Sequence, residues 1–187
     1  NITMRHVQNS PIFLRLGARL RGPDGTKVGS IKRVSVNNLV ASDAHWNLGN
    51  VISGIPGHPI EDVHFSNVRI VFQGGGTSEL AERVPPEEEK SYPEPSMFGD
   101  MPSYGFFFRH VKGITLHHVK LDFASPEARP AFVLDDVQNA WFDHLAVKRG
   151  SADAPMFDLR NVADFSVTDS RHISDTRRES AVTREKF

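Results

Sequence analysis

Apolar residues recur along the chain in a fixed rhythm. Counted from the first residue of each unit, they stand at offsets 0, 3, 5, 8 and 10. A spacing of two is the period of a β-strand, whereas a spacing of three requires a bend between short strands. The pattern fades in the last unit, and a partial copy occupies residues 2–7. The full units begin at Ile31, Ile60, Val111, Val137 and Val162.

A third strand precedes the later units, because apolar residues also stand five and three positions before each start. These pairs are Phe106 and Phe108, Phe132 and Leu134, and Phe157 and Leu159. The shortest repeats are 26 and 25 residues long, which is typical of solenoids whose units stack on their neighbours. We therefore predict an all-β right-handed parallel β-helix over residues 1–173, with about six coils of three short strands each. The polar tail 174–187 is expected to fray.

Offset 7 of each unit holds a residue type that tolerates the left-handed backbone of a tight corner. Stacking would align these residues along the solenoid, so we interpret the histidines among them as corner residues. The neighbours His117 and His118 are expected to point in different directions, and no metal or cofactor is predicted. The six corner residues are His6, Asn38, Asn67, His118, His144 and Asp169.

One long loop, residues 73–103, departs from the repeat. It contains three consecutive glycines at 74–76, a predicted helical turn at 77–84, an acidic run at 87–89 and an aromatic, proline-rich stretch at 92–99. Connections of this length are usually functional or disordered. The prolines and aromatic residues favour an ordered loop over a cleft.

Composition and charge exclude a few kinds of site but say less about function than the repeat says about fold. The chain has no cysteine and a formal net charge of −1, so neither a disulfide nor a thiolate metal site is available. No apolar run approaches the roughly 20 residues of a membrane-spanning helix, which predicts a soluble chain. The residues up to Arg33 carry a net +6 and the rest −7. A basic end suits a polyanion such as a polyuronate or a nucleic acid, or it is an ordinary solvated surface.

Several stretches resemble glycoside hydrolase family 28, the polygalacturonases and rhamnogalacturonases. They are PIFLRLG at 11–17, SGIPGHPIEDV at 53–63, YPEPSMFG at 92–99 and YGF at 104–106. The resemblance implies an inverting hydrolase of galacturonan or rhamnogalacturonan that uses aspartates on one strand face. It also implies a secreted or periplasmic protein whose partner is a pectic polysaccharide or oligosaccharide, rather than a nucleic acid or a membrane.

The family's catalytic signature of Asn-Thr-Asp, Asp-Asp, Gly-His-Gly and Arg-Ile-Lys is absent in that order. Asp135 and Asp136 form the only adjacent aspartate pair, and no Gly-His-Gly follows. We interpret that pair as structural and predict no catalytic residue. Because the chain opens within a repeat, we expect its N-terminus to be a cut edge. Further coils of the same protein, carrying the catalytic carboxylates, are expected to precede Asn1.

The resemblance leaves a cleft wall for substrate binding. Arg15 and His58 are candidates for uronate carboxylates or hydroxyls, and the long loop offers aromatic rings for sugar faces and a carboxylate for sugar hydroxyls. Alternatively, Arg15 is an outward strand residue and the aromatic residues anchor the loop. The candidates from the loop and its end are Tyr92, Glu94, Phe98 and Tyr104.

Two main functions follow. The first is the C-terminal part of a pectin-degrading glycoside hydrolase, inactive as this fragment alone. The second is a non-catalytic β-helix module that binds an acidic polysaccharide. A structural β-helix of the adhesin type is a third hypothesis. A calcium-dependent lyase would need clustered aspartates, which the sequence lacks.

Overall fold

Nearly all regular structure in the chain is β-strand. The computed structural model describes residues 1–187. The helices are α1, Ser78–Ala81, and one 3-10 turn, Pro95–Phe98. No helix has the length and apolar character needed to cross a lipid bilayer. The strands are β1 Ile2–Arg5, β2 Phe13–Arg15, β3 Lys32–Ala44, β4 Asn50–Ser53, β5 Ile60–Phe72, β6 Phe106–Phe123, β7 Phe132–Asp143, β8 Ala146–Val147, β9 Phe157–Thr168, β10 Thr176–Arg178 and β11 Val182–Lys186.

The strands form one sheet of 11 strands that is mostly parallel. β1, β3, β5, β6, β7 and β9 follow one another in chain order, and each pairs in parallel with the next. β2 and β4 extend a parallel path to β6, while β8 also pairs with β6. The prediction that the chain is all-β, with mostly parallel strand pairing, is confirmed.

The strand register follows the sequence repeat. Ile60 pairs with Val111, Val111 with Val137, and Val137 with Val162, so the unit starts lie beside one another. The apolar offsets point into one core cluster of 37 buried residues. The hydrophobic effect therefore selects this register, because a slip of one residue would turn each apolar set outward.

The predicted corners adopt the left-handed backbone conformation. All six offset-7 residues have φ between 50° and 60°. The structure adds two series of positive-φ residues that the sequence analysis did not identify, one just before the unit start and one at offset 2. They are His110, Asp136 and Asn161, and then Arg33, Asp62, Gly113, Asn139 and Asp164. Each long strand is therefore bent at several equivalent positions.

The C-terminal tail folds back onto the sheet, so the prediction that it frays is wrong. β10 and β11 both pair antiparallel with β9. Backbone bonds join Phe187 to Phe157 in both directions, with N···O distances of 3.0 and 3.2 Å. The tail thereby satisfies backbone groups of β9 that would otherwise form an open sheet edge.

The long loop is ordered and packs against the outward face of β4, β6 and β7. Its Phe98 and Met101 join three strand residues in a second apolar cluster with Val51, Phe107 and Val133. Buried arginines tie the loop down as well. Arg109 donates to Pro85 O at 2.7 Å and Pro86 O at 2.8 Å, and Arg160 donates to Ala81 O at 3.0 Å.

Candidate functional site

A basic cavity lies where the segment after β2 meets the long loop. Its volume is about 330 Å³, and four of its lining residues are cations while none is an acid. Clustered cations without acids raise the local concentration of anions. We name it the basic cavity, and its charged lining residues are Arg15, Arg19, Arg21 and Lys27.

Local sequence explains why these cations converge. β2 pairs in parallel with β4 and so fixes Arg15 at the entrance to the segment. The backbone N–H of Ala18 then donates to Glu89 O at 2.7 Å, which joins the segment to the loop. A turn reverses the chain, with the Thr26 N–H donating to Pro23 O at 3.1 Å and Gly25 at φ 86°. Proline and glycine favour such a turn, which returns Lys27 to the cavity.

Arg15 connects the strands to the loop. Its guanidinium donates to Ser53 Oγ at 3.1 Å, to Gly54 O at 2.6 Å and to Glu87 O, and it lies 5.2 Å from the centre of the Phe98 ring. Burial and then the nearby charge of Arg109 lower the pKa of Arg15, against the opposing charges of Glu87, Glu89 and Glu88. An arginine so placed remains a cation, since no protein environment deprotonates it at ordinary pH.

Two donors at the basic cavity have no partner. The Nε groups of Arg15 and Arg19 are buried and make no hydrogen bond. A buried unpaired donor costs about 1–3 kcal/mol, so a side-chain rotation that brought either Nε to an anionic oxygen would relieve that cost. Arg19 also lies 5.0 Å from the centre of the Tyr92 ring, and Tyr92 is 68% exposed. The Arg19 guanidinium thus covers one face of a largely exposed aromatic ring.

The structure places the six predicted binding residues in three settings. Arg15 lines the basic cavity and Tyr92 lies beside it. His58 is exposed and lines a neighbouring cavity that shares Val28 and Gly29 with the basic cavity. Glu94 is exposed and accepts a bond from Ser96 Oγ at 2.9 Å. A role in binding remains a prediction for these four.

Phe98 and Tyr104 take the alternative role of packing residues. Their exposed fractions are 0% and 1%, so neither can contact a ligand in this structure. The Tyr104 hydroxyl donates to Lys148 O at 2.6 Å, and burial raises the pKa of Tyr104. An aromatic residue near a predicted cleft therefore does not by itself indicate a sugar-stacking surface.

Arg19, Arg21 and Lys27 were not among the predicted site residues. The signal for them was the basic charge of the first 33 residues. The charge alone did not predict where these residues lie in the fold, because their segment is outside the repeat and its position depends on the long loop.

One member of the aspartate pair, Asp136, is engaged in structural contacts, and the other, Asp135, is largely buried. Asp136 lies at a left-handed corner with φ 55°, pairs with His110 Nδ1 at 2.6 Å and accepts from Asn161 Nδ2 at 3.1 Å. Burial raises the pKa of Asp135, against the opposing effects of Arg160 and Arg109.

The basic cavity is suited to bind a ligand that carries a negative charge, polar groups and an apolar surface. No protein-family model, curated protein or solved structure matched the chain. The resemblance to glycoside hydrolase family 28 therefore rests on the quoted sequence stretches, and the site is interpreted from its own geometry.

Proposed function

We propose that this chain binds an acidic polysaccharide of the polyuronate class in the basic cavity. We further propose that it does so as the C-terminal part of a pectin-degrading glycoside hydrolase. The observation that carries the binding proposal is the set of four cations around a cavity of about 330 Å³ without a lining acid. Two of those cations also hold buried, unpaired donors.

The proposed scaffold is a right-handed parallel β-helix. Its support is the constant parallel register from one unit to the next and the recurrence of left-handed residues at three equivalent positions. Parallel neighbours that are bent at matching positions can stack as coils around one core. On such a scaffold the long loop and the segment after β2 form one lateral surface.

Uronate sugars match the chemistry of this surface. A guanidinium binds a carboxylate through two parallel N–H donors, which gives both energy and orientation. The Tyr92 ring is largely exposed, and the face that Arg19 does not cover would take the apolar side of a sugar ring. Lys27 and Arg21 would supply charge to neighbouring carboxylates of a polymer.

Binding of polygalacturonate oligosaccharides tests this proposal. We expect saturable binding by calorimetry that weakens as salt rises, because exposed charges are screened at high ionic strength. A neutral oligosaccharide of the same length should bind far more weakly. Salt-independent or equal binding of the two would contradict the proposal.

Replacing Arg21 with alanine should weaken polygalacturonate binding about tenfold, the effect expected for one charge-assisted contact. Arg21 is exposed and lines the basic cavity, so its removal leaves the core intact. Arg69→Ala is the matched control, since it removes the same charge from an exposed position on β5 outside the cavity. Equal losses in the two variants would show that only net charge matters and would refute the cavity assignment.

The isolated chain should release no reducing sugar from polygalacturonate. The reason is that Asp136 is held by His110 and Asn161, while Asp135 lies in the strand between paired positions of Arg109 and Arg160. A colorimetric reducing-end assay over hours is sufficient. Release that disappears in Asp136→Asn would assign catalysis to the chain itself.

The sequence encoded just before Asn1 separates the hydrolase from the binding module. The family signature Asn-Thr-Asp, Asp-Asp and Gly-His-Gly, one coil apart, would support the hydrolase. A different domain at that place, together with polygalacturonate binding, would favour the binding module.

A further inference from the structure

A cluster of histidine and carboxylate side chains stands at one polar corner and shares no residue with the basic cavity. Offset 6 of successive units, the outward position just before the corner, holds Asn37, Ser66, His117, Asp143 and Thr168, which lie beside one another in register. Offset 7 holds the corner residues already described. In the units on β6 and β7 alone, both offsets carry residues that can ligate a metal, and these are His117, His118, Asp143 and His144.

Three of these side chains have their potential ligand atoms close together. His117 Nδ1 lies 2.7 Å from Asp143 Oδ1, and His144 Nδ1 lies 3.5 Å from Asp143 Oδ2. Ligand atoms of all three residues lie within 4.8 Å of one another. Two ligands of one tetrahedral zinc ion, each about 2.0–2.1 Å from it, stand about 3.3–3.4 Å apart. Side-chain rotations would therefore have to separate His117 from Asp143 slightly and draw His144 closer.

The three side chains differ in exposure in a way that suits binding of an ion from solvent. The Asp143 side chain is 14% exposed, whereas those of His117 and His144 are 37% and 47% exposed. The carboxylate is thus held by packing while the imidazoles face solvent, from which an ion can enter. The His118 ring lies 4.0 Å from that of His117 and 4.7 Å from that of His144, between centres. A third imidazole therefore borders the same point.

We propose that His117, Asp143 and His144 bind one divalent transition-metal ion of the zinc type. Two imidazoles and one carboxylate are borderline ligands that favour zinc, nickel, cobalt or copper, whereas calcium and magnesium require oxygen ligands. The ion would join β6 to β7 across neighbouring units. This site departs from the expectation that the chain has no metal site, and it does not depend on the proposed polysaccharide binding.

An ordinary corner pair elsewhere in the chain provides the comparison. His6, at offset 7 of the opening partial unit, lies 2.6 Å through Nδ1 from Asp43 Oδ2. No further histidine or acid completes a group of three there. The His6 pair therefore represents a corner hydrogen bond without a metal site, and a His6 variant is a matched control.

The repeat itself supplies variants that the backbone tolerates. Asparagine already occupies the His144 position in other units, at Asn38 and Asn67, and serine occupies the His117 position at Ser66. His144→Asn and His117→Ser should therefore fold. Circular dichroism and thermal unfolding of each variant without metal would establish that they do.

The test is titration of the metal-free, untagged chain with Zn²⁺ by calorimetry and with Co²⁺ by visible absorption. We expect one ion per chain with a dissociation constant of about 10 µM or below. His144→Asn and His117→Ser should each bind at least about tenfold more weakly, while His6→Asn should bind as the unchanged chain does. Zn²⁺ should also raise the melting temperature of the unchanged chain but not that of His144→Asn, because a ligand of the folded state alone stabilises it.

If a variant fails to fold, chemical modification of the unchanged chain tests the metal site instead. Zn²⁺ should protect His117 and His144, and not His6, from modification by diethyl pyrocarbonate, as mapped by mass spectrometry. Absence of Zn²⁺ binding at about 1 mM, undiminished binding in both variants, or uniform reactivity of all three histidines would each overturn the proposal and leave a hydrogen-bonded corner only.

Discussion

Replacing Arg129 with methionine should lower the free energy of unfolding by about 3–5 kcal/mol, the cost of leaving one partner of a buried ion pair alone. The Arg129 and Glu127 side chains are both 0% exposed and pair at 2.7 Å. Arg129 also donates to Trp46 O at 2.6 Å and to Met101 O at 3.0 Å. One side chain thus joins the segment after β3, the long loop and the segment before β7, and methionine replaces none of these bonds.

The pH dependence of the loss gives a second signature. Burial acts to raise the pKa of Glu127, but its bonds to Arg129, together with the charge of that residue, outweigh this and lower it below the ordinary 4.5. In the unchanged chain this contribution is therefore present above about pH 4.5 and is lost as the pH falls through the lower folded-state pKa. In Arg129→Met, burial without a cation should raise the pKa of Glu127, and stability should instead fall as the pH rises through it. The difference between the two chains should consequently shrink towards acid pH.

Urea unfolding monitored by fluorescence at pH 7 and pH 4 measures both effects. Lys32→Met is the control, because it removes a cation from a pair with Glu61 whose side chains are 40% and 36% exposed. Such surface pairs contribute about 0–1 kcal/mol. A loss below about 1 kcal/mol in Arg129→Met, or a loss that does not change with pH, would contradict the role assigned to this pair.

The repeat made the strand stack predictable because burial fixes it. The unit starts from Ile60 to Val162 pair in succession, and all six predicted corners have the left-handed backbone. The position of the long loop could not be predicted from the sequence, since it depends on specific hydrogen bonds such as the one from Arg109 to Pro85 O. The ordered tail was missed because its large apolar residues, Val182 and Phe187, are isolated in a polar stretch and show no period.

The candidate sites show the same division. Arg15 and Tyr92 were predicted from a resemblance, whereas Lys27 is returned to the basic cavity by a turn outside the repeat. The metal-ligand cluster was implicit in the period: His117 and Asp143 are 26 residues apart and share offset 6. The cluster was missed because only the corner residues at offset 7 were aligned, whereas His117 and Asp143 both stand at offset 6.

Phe132→Ala should also lower the free energy of unfolding by about 3–5 kcal/mol, through lost apolar contact and the cavity that remains. Phe132 is 0% exposed and lies in a stack of near-parallel rings. Its ring centre is 6.1 Å from that of Phe106 and 4.7 Å from that of Phe157, with interplanar angles of 14° and 16°. Phe187 of the tail extends the stack at 5.2 Å from Phe157.

Because the stack runs through successive strands to the tail, the loss should extend beyond β7. In Phe132→Ala we expect faster amide exchange at Phe157 and Phe187 as well as a lower urea midpoint. Phe132→Leu retains most apolar contacts and should cost less than half as much, about 1–1.5 kcal/mol. Trp141→Ala, on the same strand but 53% exposed, should cost under about 1 kcal/mol. If truncating exposed Trp141 costs as much as truncating buried Phe132, the ring stack does not stabilise the core as argued.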